Sequence, residues 1–200
     1  RFNQGNCRLN ILNLKLKSKV ELCLYDFIHS SKIPSCESRI NSTNIILDRN
    51  SPEIELIYEV QGKRIINPRF DRGEKCYAAL VNESIVSYIW SSRGSVGVDE
   101  INMAVKPSTD EAYLYDAFTI EKWRGNNLYP SILQLALENA EKENLKRTLI
   151  FVESNNTASR RGVSKAGFEQ FQTLYYKRFL FFPSTKLSAP IKNHNSAKFI

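Results

Sequence analysis

One stretch near the middle of the sequence joins a strand, a polar loop and a helix in an order that restricts the fold more than any other feature. A β-rich run at residues 112–120 is followed by a loop with Arg124 and Gly125, and an apolar helical pattern begins near Pro130. The first turn of a helix has backbone N–H groups without intrahelical partners and carries partial positive charge. Gly125 permits close approach of a ligand, and Pro130 suits a first helical position, where no N–H is needed. The stretch therefore predicts an anion site on an α/β fold.

A second pattern downstream supports this interpretation. The run 148–153 is typical of a buried strand, and Asn156, Ser159 and the pair Gly167-Phe168 follow it at a spacing that suits a short helix. On its own, the first stretch would also suit an ordinary strand-to-helix connection with a surface Arg and Gly. The order and spacing of the two patterns together favour a ligand site.

Residues 75–182 resemble the GCN5-related N-acetyltransferase (GNAT) superfamily. Its members bind the pyrophosphate of acyl-coenzyme A in a loop of the form Arg/Gln-x-x-Gly-x-Gly/Ala, and Arg124 occupies the first position. Val152 stands four residues before Asn156, as in the family's Val-x-x-x-Asn pattern, and Gly167-Phe168 matches the pair that closes the next helix. The chain also resembles acetyltransferase-like members with Tyr-x-Tyr-Asp-x-x-Thr before the loop and Tyr-Pro after it, here Tyr113 to Thr119 and Tyr129-Pro130.

The sequence departs from the family pattern at three positions. Asn127 and Tyr129 replace the two later Gly or small residues of the loop. Val163 stands where many members have a Tyr that protonates the leaving thiolate. The first two departures bear on the shape of the loop, and the third leaves Tyr175, Tyr176 or water as the expected proton donor.

The resemblance implies a mixed α/β fold of the α+β type, with a mostly antiparallel central sheet flanked by helices and splayed at its two central strands. It implies one acyltransferase domain at residues 1–182, with an N-terminal part at 1–74 and a core at 75–182. Residues 183–200 are polar and basic, and we expect them to form a loose C-terminal tail.

The resemblance also implies how acetyl-coenzyme A, or another acyl-coenzyme A, would bind as co-substrate. Backbone groups of β-strand residues would pair with the pantetheine arm, the polar loop would hold the pyrophosphate, and the start of the second helix would contact the arm further along. The strand residues are Phe118, Thr119 and Ile120. The loop residues are Arg124, Gly125, Asn126, Asn127, Leu128 and Tyr129, and the helix residues are Asn156 and Ser159.

The implied reaction is direct transfer of the acyl group to an amine or hydroxyl of a small-molecule or peptide acceptor in a ternary complex. The family often uses a carboxylate on or near the central strand as general base, and Asp116 is the best placed, with Tyr113 as a further catalytic candidate. Glu100 and Glu153 are outer candidates, and water could also take the proton. An altered loop leaves a second hypothesis open: a catalytically weak or inactive binding module of the same fold.

Composition excludes several other classes. The formal net charge is +7, of which Lys186, Lys192 and Lys198 contribute +3, and no nucleic-acid motif accompanies the charge. No apolar run approaches the ~20 residues that cross a bilayer, and no secretion signal is evident. The four Cys residues are widely spaced and there are two His residues, so we expect no metal site. We expect a cytoplasmic protein with reduced thiols. We expect no membrane or nucleic-acid partner, and a homodimer is possible.

Local patterns predict further elements. Residues 9–16 and 20–27 alternate as strands, with a turn at 17–19, and 30–52 reads as an irregular connection with one short helix. The run 54–60 suits a strand or a helical turn that ends at Gly62, and 67–73 suits a basic turn. Asn82 and Glu83 separate two β-rich runs, which predicts a hairpin. We expect Trp90 to be buried, and Arg69 and Arg72 to be solvated charges rather than substrate contacts. The helix after the loop should have one apolar face. Residues 168–182 should form two final strands, joined near Thr173 or Lys177.

Overall fold

The computed structural model describes residues 17–179, 182–191 and 194–200. Within these ranges the helices are α1 (Ile54–Gln61), α2 (Lys63–Asp71), α3 (Leu128–Lys142) and α4 (Thr157–Lys165). The strands are β1 (Lys17–Ile28), β2 (Thr43–Leu47), β3 (Lys75–Val81), β4 (Ser84–Ser92), β5 (Val96–Val98), β6 (Met103–Val105), β7 (Glu111–Thr119), β8 (Arg147–Glu153), β9 (Glu169–Phe179) and β10 (Phe182–Leu187).

Among the described residues, eight strands form one sheet in the order β10-β9-β1-β8-β7-β4-β3-β2, and β5 pairs with β6 in a separate small sheet. Only the central pair β7 and β8 of the large sheet is parallel; its other neighbours run antiparallel. This is the mixed, mostly antiparallel sheet predicted from the sequence. The N-terminal strand β1 lies inside the sheet, between β8 and β9.

The two central strands part halfway along their length. β7 pairs with β8 only from Glu111 to Leu114, opposite Arg147 to Ile150. Beyond that point β7 continues to pair with β4, and β8 continues to pair with β1 as far as Glu153. The edges that face each other across the gap therefore keep backbone groups that no strand satisfies. The predicted splay of the central strands is confirmed.

Both faces of the sheet are covered. α3 and α4 pack on one face, where apolar residues of α3 spaced three and four apart meet alternate residues of β3, β7 and β8. The predicted apolar face of α3 is confirmed, because Ile132, Leu133, Ala136, Leu137 and Ala140 are all buried. α1 and α2 cover the opposite face over β3 and β4, and β5, β6 and the C-terminal residues cover the same face over β1, β7 and β8.

The hairpin between β3 and β4 agrees with the prediction. Asn82 and Glu83 connect the strands with φ of +49° and +60°. Two consecutive residues with positive φ are typical of the tight turn whose twist matches that of the flanking strands. Trp90 on β4 is fully buried, as expected.

Several predictions for the N-terminal part were wrong. Residues 17–19 continue β1, because they pair with 177–179 of β9 rather than turning; the run 9–16 lies outside the described residues. The connection predicted at 30–52 contains the edge strand β2. The run 54–60 is helical and ends at Gly62 as expected, but 67–71 continues α2 instead of forming a turn. Burial of Ile66 and Phe70 on one side of α2 stabilises that helix despite Pro68.

The C-terminal predictions also need correction. β9 continues through Thr173 and Lys177 without a break, and the next strand, β10, begins at Phe182. The expected loose tail is packed: Ala197 is buried, and Ala104 on β6 exchanges two backbone hydrogen bonds of 2.8 Å with Ile200. A polar composition did not reveal these few apolar anchors, which fill a gap over the sheet.

A buried charge cluster fixes this C-terminal segment. Arg147 donates to Asp26 at 2.7 Å, to Glu111 at 3.1 Å and to the carbonyl of Asn195 at 2.7 Å. His194 Nδ1 lies 2.9 Å from both carboxylate oxygens of Asp26. Because each charged group has a partner, the cluster can remain buried where a lone charge would be costly.

Candidate functional site

An open groove of about 490 Å³ lies where β7 separates from β8. Its wall is formed by the end of β7, the loop before α3, the first turn of α3 and one side of α4. The lining residues are Ala117, Phe118, Thr119, Trp123, Arg124, Gly125, Asn127, Leu128, Tyr129, Pro130, Asn156, Ala158, Ser159, Arg161, Gly162 and Lys165. The described lining holds three cationic side chains and no acidic one, which suits an anionic ligand.

The loop keeps a glycine-like backbone although one family Gly is absent. Gly125 has φ of +83°, and Asn127, in the N-cap position of α3, has φ of +59°. Asn is one of the few non-Gly residues that adopts this left-handed conformation readily. The replacement of Gly by Asn127 therefore changes a side chain and preserves the backbone path.

The loop has backbone donors that are not paired with other protein groups. Within the part of the chain that the structure describes, no hydrogen bond to protein uses the backbone N–H of Gly125, Asn126, Asn127, Leu128 or Tyr129. The next residue, Pro130, has no N–H and is the third residue of α3 rather than the first. Consecutive free N–H groups at the amino end of a helix, here one of 15 residues, are the arrangement that binds phosphate groups in many proteins.

Arg124 is anchored at the mouth of the groove. Its Nε donates to the carbonyl of Thr119 at 3.1 Å, and the residue is exposed. Lys165 on α4 reaches across to the loop and donates to Oδ1 of Asn127 at 2.9 Å. The two cations thus lie on either side of the free N–H groups.

Fewer backbone groups at the end of β7 are available to a ligand than the sequence predicted. The N–H of Ile120 donates to the carbonyl of Val86 at 2.9 Å, so it is not available to a ligand, and Ile120 does not line the groove. Ser87 Oγ donates to the carbonyl of Phe118 at 3.2 Å. Of the three predicted residues, Phe118 and Thr119 line the groove, together with Ala117, which the sequence prediction omitted.

Asn156 has a structural role in addition to its place in the groove. It is the N-cap of α4, and its Oδ1 accepts a hydrogen bond of 3.1 Å from the N–H of Ser159. Such a cap typically contributes about 1 kcal/mol to the helix. Its Nδ2 donates no hydrogen bond to the described residues, so the amide group still has a donor for a ligand. Asn156 and Ser159 both line the groove, as predicted.

Tyr129 occupies space that a small residue would leave open. Its ring lies against Gly162 of α4, and burial raises the pKa of its phenol to about 12. The ring therefore remains neutral at ordinary pH and forms part of the groove wall. The pairing of a Tyr with a facing Gly was not visible in the sequence, because the two positions are 33 residues apart.

No described Tyr occupies the family position of the proton donor. Val163 is fully buried in the core between the sheet and the helices. Tyr176 is buried in the other core and Tyr175 is partly exposed on β9, and neither lines the groove. The expectation that Tyr175 or Tyr176 protonates the thiolate was therefore wrong, since strand β9 lies on the far side of β1.

Asp116 lies at an irregularity of β7, just beyond the last residue that pairs with β8. Its φ is +48°, and the register of β7 with β4 shifts there. Positive φ in a non-Gly residue is uncommon and often marks a functional site. Oδ2 of Asp116 accepts hydrogen bonds from Arg69 at 2.6 Å and from Gln61 at 2.9 Å. The side chain is one-third exposed, and Oδ1 has no partner among the described residues.

The groups that hold Asp116 are themselves fixed. The Arg69 guanidinium lies 4.8 Å from the ring centroid of Trp90 and 5.2 Å from that of Tyr115. Gln61 donates to the hydroxyl of Tyr88 at 2.9 Å and accepts from Nε1 of Trp90 at 2.9 Å. Arg69 is thus a mostly buried anchor, and its prediction as a solvated charge was wrong because residue 69 lies on α2 over the sheet.

The other charged candidates lie apart from the groove. Arg72 is half exposed and pairs with the buried carboxylate of Glu74 at 2.8 Å, which also accepts a hydrogen bond from Tyr115. Glu100 and Glu153 are exposed and do not line the groove. Gln61 and Glu74 were missed from the sequence, because only the packing of α1 and α2 brings them to the central strand.

Tyr113, the second predicted catalytic residue, lies away from the groove. Its side chain is buried on the face of the sheet opposite α3, packed against Phe151 and Tyr115, and burial raises the pKa of its phenol. It does not line the groove. The error has a simple cause: Tyr113 belongs to the part of β7 that is still paired with β8.

Other site types receive no support from the described residues. No group of three or more His, Cys, Asp or Glu side chains there could hold a metal ion. None of the described helices combines the length and the apolar character that crossing a membrane needs. Cys23, Cys36 and Cys76 are free and buried, as expected for reduced thiols.

Comparison with known proteins gives a consistent result. The model of the Acetyltransferase (GNAT) family matches residues 43–168. No curated protein matches the chain. A GCN5-related N-acetyltransferase from Sphaerobacter thermophilus has a similar structure, with a TM-score of 0.59 and 12% identity over 83% of this chain and 54% of that chain.

Two further solved structures are similar. An acetyltransferase of the GNAT family from Colwellia psychrerythraea has a TM-score of 0.54 and 15% identity, over 82% of this chain and 57% of that chain. AAC(6′)-Iy in complex with the bisubstrate analogue CoA-S-monomethyl-acetylneamine has a TM-score of 0.50 and 10% identity, over 65% of this chain and 92% of that chain. The chain thus spans little more than half the length of the first two relatives, and at these identities the structures support the fold alone.

Proposed function

We propose a function from the premise that this chain belongs to the acetyltransferase (GNAT) family: it transfers an acyl group from acyl-coenzyme A to an amine or hydroxyl of an acceptor. The observation that carries the proposal is the row of free backbone N–H groups at residues 125–129, in a loop that borders a groove with cationic side chains. A diphosphate needs converging donors of this kind. The groove leads from there to the gap between β7 and β8, where a thioester arm could extend.

The donor would bind mainly through the backbone. Its diphosphate would accept hydrogen bonds from the N–H groups of residues 125–129, with Arg124 beside them. The pantetheine arm would lie along the unpaired edge of β7 near Ala117 and Thr119, as an added strand would, and could also accept from Nδ2 of Asn156. Backbone recognition explains why loop side chains can change without loss of the site.

The reaction would proceed by direct attack of the acceptor on the thioester carbonyl carbon. A C–N or C–O bond forms, the C–S bond breaks, and coenzyme A leaves as a thiolate. The acceptor loses a proton, and the thiolate gains one. With Val163 buried and no Tyr in its place, the proton that reaches the thiolate would come from water in the open groove.

Asp116 is the proposed base for the acceptor. Hydrogen bonds from Arg69 and Gln61 fix its Oδ2, which leaves Oδ1 free to accept a proton or to hold an acceptor amine. Phe118, two residues further along β7, lines the groove and lies 5.9 Å from the ring of Tyr88, whose hydroxyl contacts Gln61. This chain of contacts connects the donor groove with the carboxylate.

The acceptor we propose is a small-molecule or peptide amine. The bisubstrate analogue bound by AAC(6′)-Iy joins coenzyme A to acetylneamine, a small-molecule acceptor of the class proposed here. In this chain, the acceptor would approach Asp116 from the side of α1, where Val60 precedes Gln61 in sequence and is exposed, as is Phe118, two residues after Asp116. An amine attached to an apolar group suits these exposed apolar side chains.

One observation favours a second candidate function, a binding module of the same fold with little or no turnover. Val163 is buried where the family often has a proton donor, so protonation of the thiolate depends on water. Such a module would bind coenzyme A without efficient release of free thiol. Binding and turnover must therefore be measured separately.

Thermal unfolding with acetyl-coenzyme A tests the donor site. A ligand at 100 times its dissociation constant adds about 2.7 kcal/mol of stability, which raises Tm by several degrees in a domain of this size. Free thiol release with a panel of amines then tests turnover. A Tm that does not change at millimolar acetyl-coenzyme A would contradict the proposal, whereas a shift without thiol release would favour the binding module.

A further inference from the structure

The connection between β1 and β2 passes directly beside the loop that precedes α3. We call residues 29–42 the crossing segment. It precedes the part of the chain that matches the GNAT family, which begins at residue 43. It does not line the groove, and it contacts the loop through hydrogen bonds to backbone carbonyls and to one side chain.

Three hydrogen bonds join the crossing segment to the loop. The N–H of Arg39 donates to the carbonyl of Asn126 at 2.9 Å, and Nη1 of Arg39 donates to the carbonyl of Gly125 at 3.3 Å. Nδ2 of Asn127 donates to the carbonyl of Glu37 at 3.3 Å. Every one of the central loop residues 125–127 is therefore held from outside the groove.

The same segment is attached to both helices that flank the groove. The N–H of Cys36 donates to Oε1 of Gln134 on α3 at 2.6 Å, and its Sγ lies 3.3 Å from the carbonyl of Lys165 on α4. Pro34 packs so closely on Gly167 that a Cβ there would lie 2.8 Å away. These contacts fix where the segment stands relative to the loop.

The orientation of the loop carbonyls follows from these contacts. A carbonyl oxygen that faced the groove would repel a phosphate, whereas an N–H would attract it. The carbonyls of Gly125 and Asn126 accept hydrogen bonds from Arg39, which does not line the groove, and the N–H groups of residues 125–129 stay without protein partners in the described chain. Arg39 thus stabilises the loop in the arrangement that an anion needs.

Arg39 also has charge to offer the ligand. It is exposed, and among the described residues no carboxylate pairs with it. One of its guanidinium donors is used by the carbonyl of Gly125, and the others have no partner among the described residues. A guanidinium in this position can form charge-assisted hydrogen bonds to phosphate oxygens.

We propose that Arg39 is a positioning and binding residue for the diphosphate of coenzyme A, supplied by a segment that precedes the family's matched region. This proposal rests on the proposed function and specifies which phosphate group Arg39 recognises. The diphosphate is favoured over the 3′-phosphate because Arg39 contacts the carbonyls of Gly125 and Asn126, whose N–H groups belong to the free row proposed to hold the diphosphate.

Calorimetric titration with coenzyme A and with dephospho-coenzyme A, which lacks only the 3′-phosphate, tests the assignment. Arg39→Ala should raise Kd by about tenfold or more for both ligands, because one charge-assisted contact and one loop restraint are lost. Arg39→Gln, which can still donate to Gly125 but has no charge, should lie between Arg39→Ala and the unaltered chain. Lys32→Ala removes an exposed cation from the same segment and serves as the control, with Kd unchanged.

The outcomes separate the two claims. Absence of coenzyme A binding to the folded, unaltered chain would overturn the proposed function and this assignment with it. Binding by the unaltered chain with no change in Arg39→Ala would overturn the role of Arg39 alone. A loss seen with coenzyme A but not with dephospho-coenzyme A would assign Arg39 to the 3′-phosphate and overturn the diphosphate assignment.

Discussion

The ring of Tyr129 lies directly against Gly162, so that a Cβ added at residue 162 would stand 2.7 Å from Cδ1 of Tyr129. Family members have a small residue at the Tyr129 position, and here the facing position on α4 is reduced to Gly. The two residues therefore form a size-matched pair between the first turn of α3 and α4. The shape of the groove wall depends on the size of both side chains.

Gly162→Ala should destabilise the fold by about 1–3 kcal/mol, because the added methyl overpacks the contact with Tyr129. The displaced ring should also narrow the groove and raise Kd for coenzyme A. Adding Tyr129→Leu to Gly162→Ala should restore much of the lost stability, which thermal unfolding of the two single variants and the double variant would reveal. Additive effects of the two substitutions would show that the contact does not matter.

Gly125→Val should raise Kd for coenzyme A more than tenfold. A Cβ at residue 125 meets nothing within 4 Å, so the substitution introduces no clash, but Val does not readily adopt φ of +83°. The loop would move to relieve the strain and would lose its row of N–H groups.

Gly73→Val is the matched control for that variant. Gly73 has φ of +75° with no atom within 4 Å of an added Cβ, and it lies after α2, outside the groove lining. Both variants should lose about 1–2 kcal/mol of stability, and only Gly125→Val should lose affinity. Equal Kd values for the two variants would argue against the loop as the diphosphate site.

Asp116→Asn should lower turnover by ~10²-fold with little change in Kd for coenzyme A, as expected when a general base is removed from a reaction in which water can replace it. Thiol release and calorimetry would measure the two quantities. Asp71→Asn is a suitable control, because Asp71 also pairs with an Arg but lies on the exposed side of α2. A parallel decrease in affinity and turnover would indicate that Asp116 only supports the structure.

His29 should make the fold less stable below neutral pH. Burial lowers the pKa of its imidazole, an effect that Glu141 opposes only in part, and its Nδ1 is buried without a hydrogen-bond partner in the described chain. The unfolded chain takes up the proton with an ordinary pKa of about 6.5, so as the pH falls through that value it binds more protons than the folded chain. The free energy of unfolding therefore decreases as the pH is lowered, by at most ~1.4 kcal/mol per pH unit.

Denaturant unfolding between pH 7 and pH 5 would measure this dependence. His29→Gln cannot take up the proton and should show a flatter curve over the same interval. Identical slopes for the two proteins would mean that another group causes the loss of stability.

The sequence predicted the strand, the Arg-Gly loop and the helix that border the groove, because these three elements are adjacent in the chain. The splay of β7 and β8 followed from the same order of elements. By contrast, the partners of Asp116, Arg69 and Gln61, could not be predicted, because they depend on how α1 and α2 pack over the sheet; its role as base stays a prediction. Tyr113 was misassigned because the register at which β7 leaves β8 is a tertiary property.

The parts outside the resemblance were the least predictable. β1 alternates as a strand should, but nothing local indicates that it inserts between β8 and β9. The contacts of Arg39 with residues that follow it by more than 80 positions have no sequence signature. The packed C-terminal segment depends on the buried pair Arg147 and Asp26, which only the folded sheet brings together.

The most direct measurement is a titration of ¹⁵N-labelled protein with coenzyme A, followed through its backbone amide resonances. If the free N–H groups at the start of α3 hold the diphosphate, the amide signals of Gly125, Asn126, Asn127, Leu128 and Tyr129 should show the largest shifts, with smaller ones along β7 and α4. Shifts that leave these five amides unchanged, or no shifts at millimolar coenzyme A, would contradict the account.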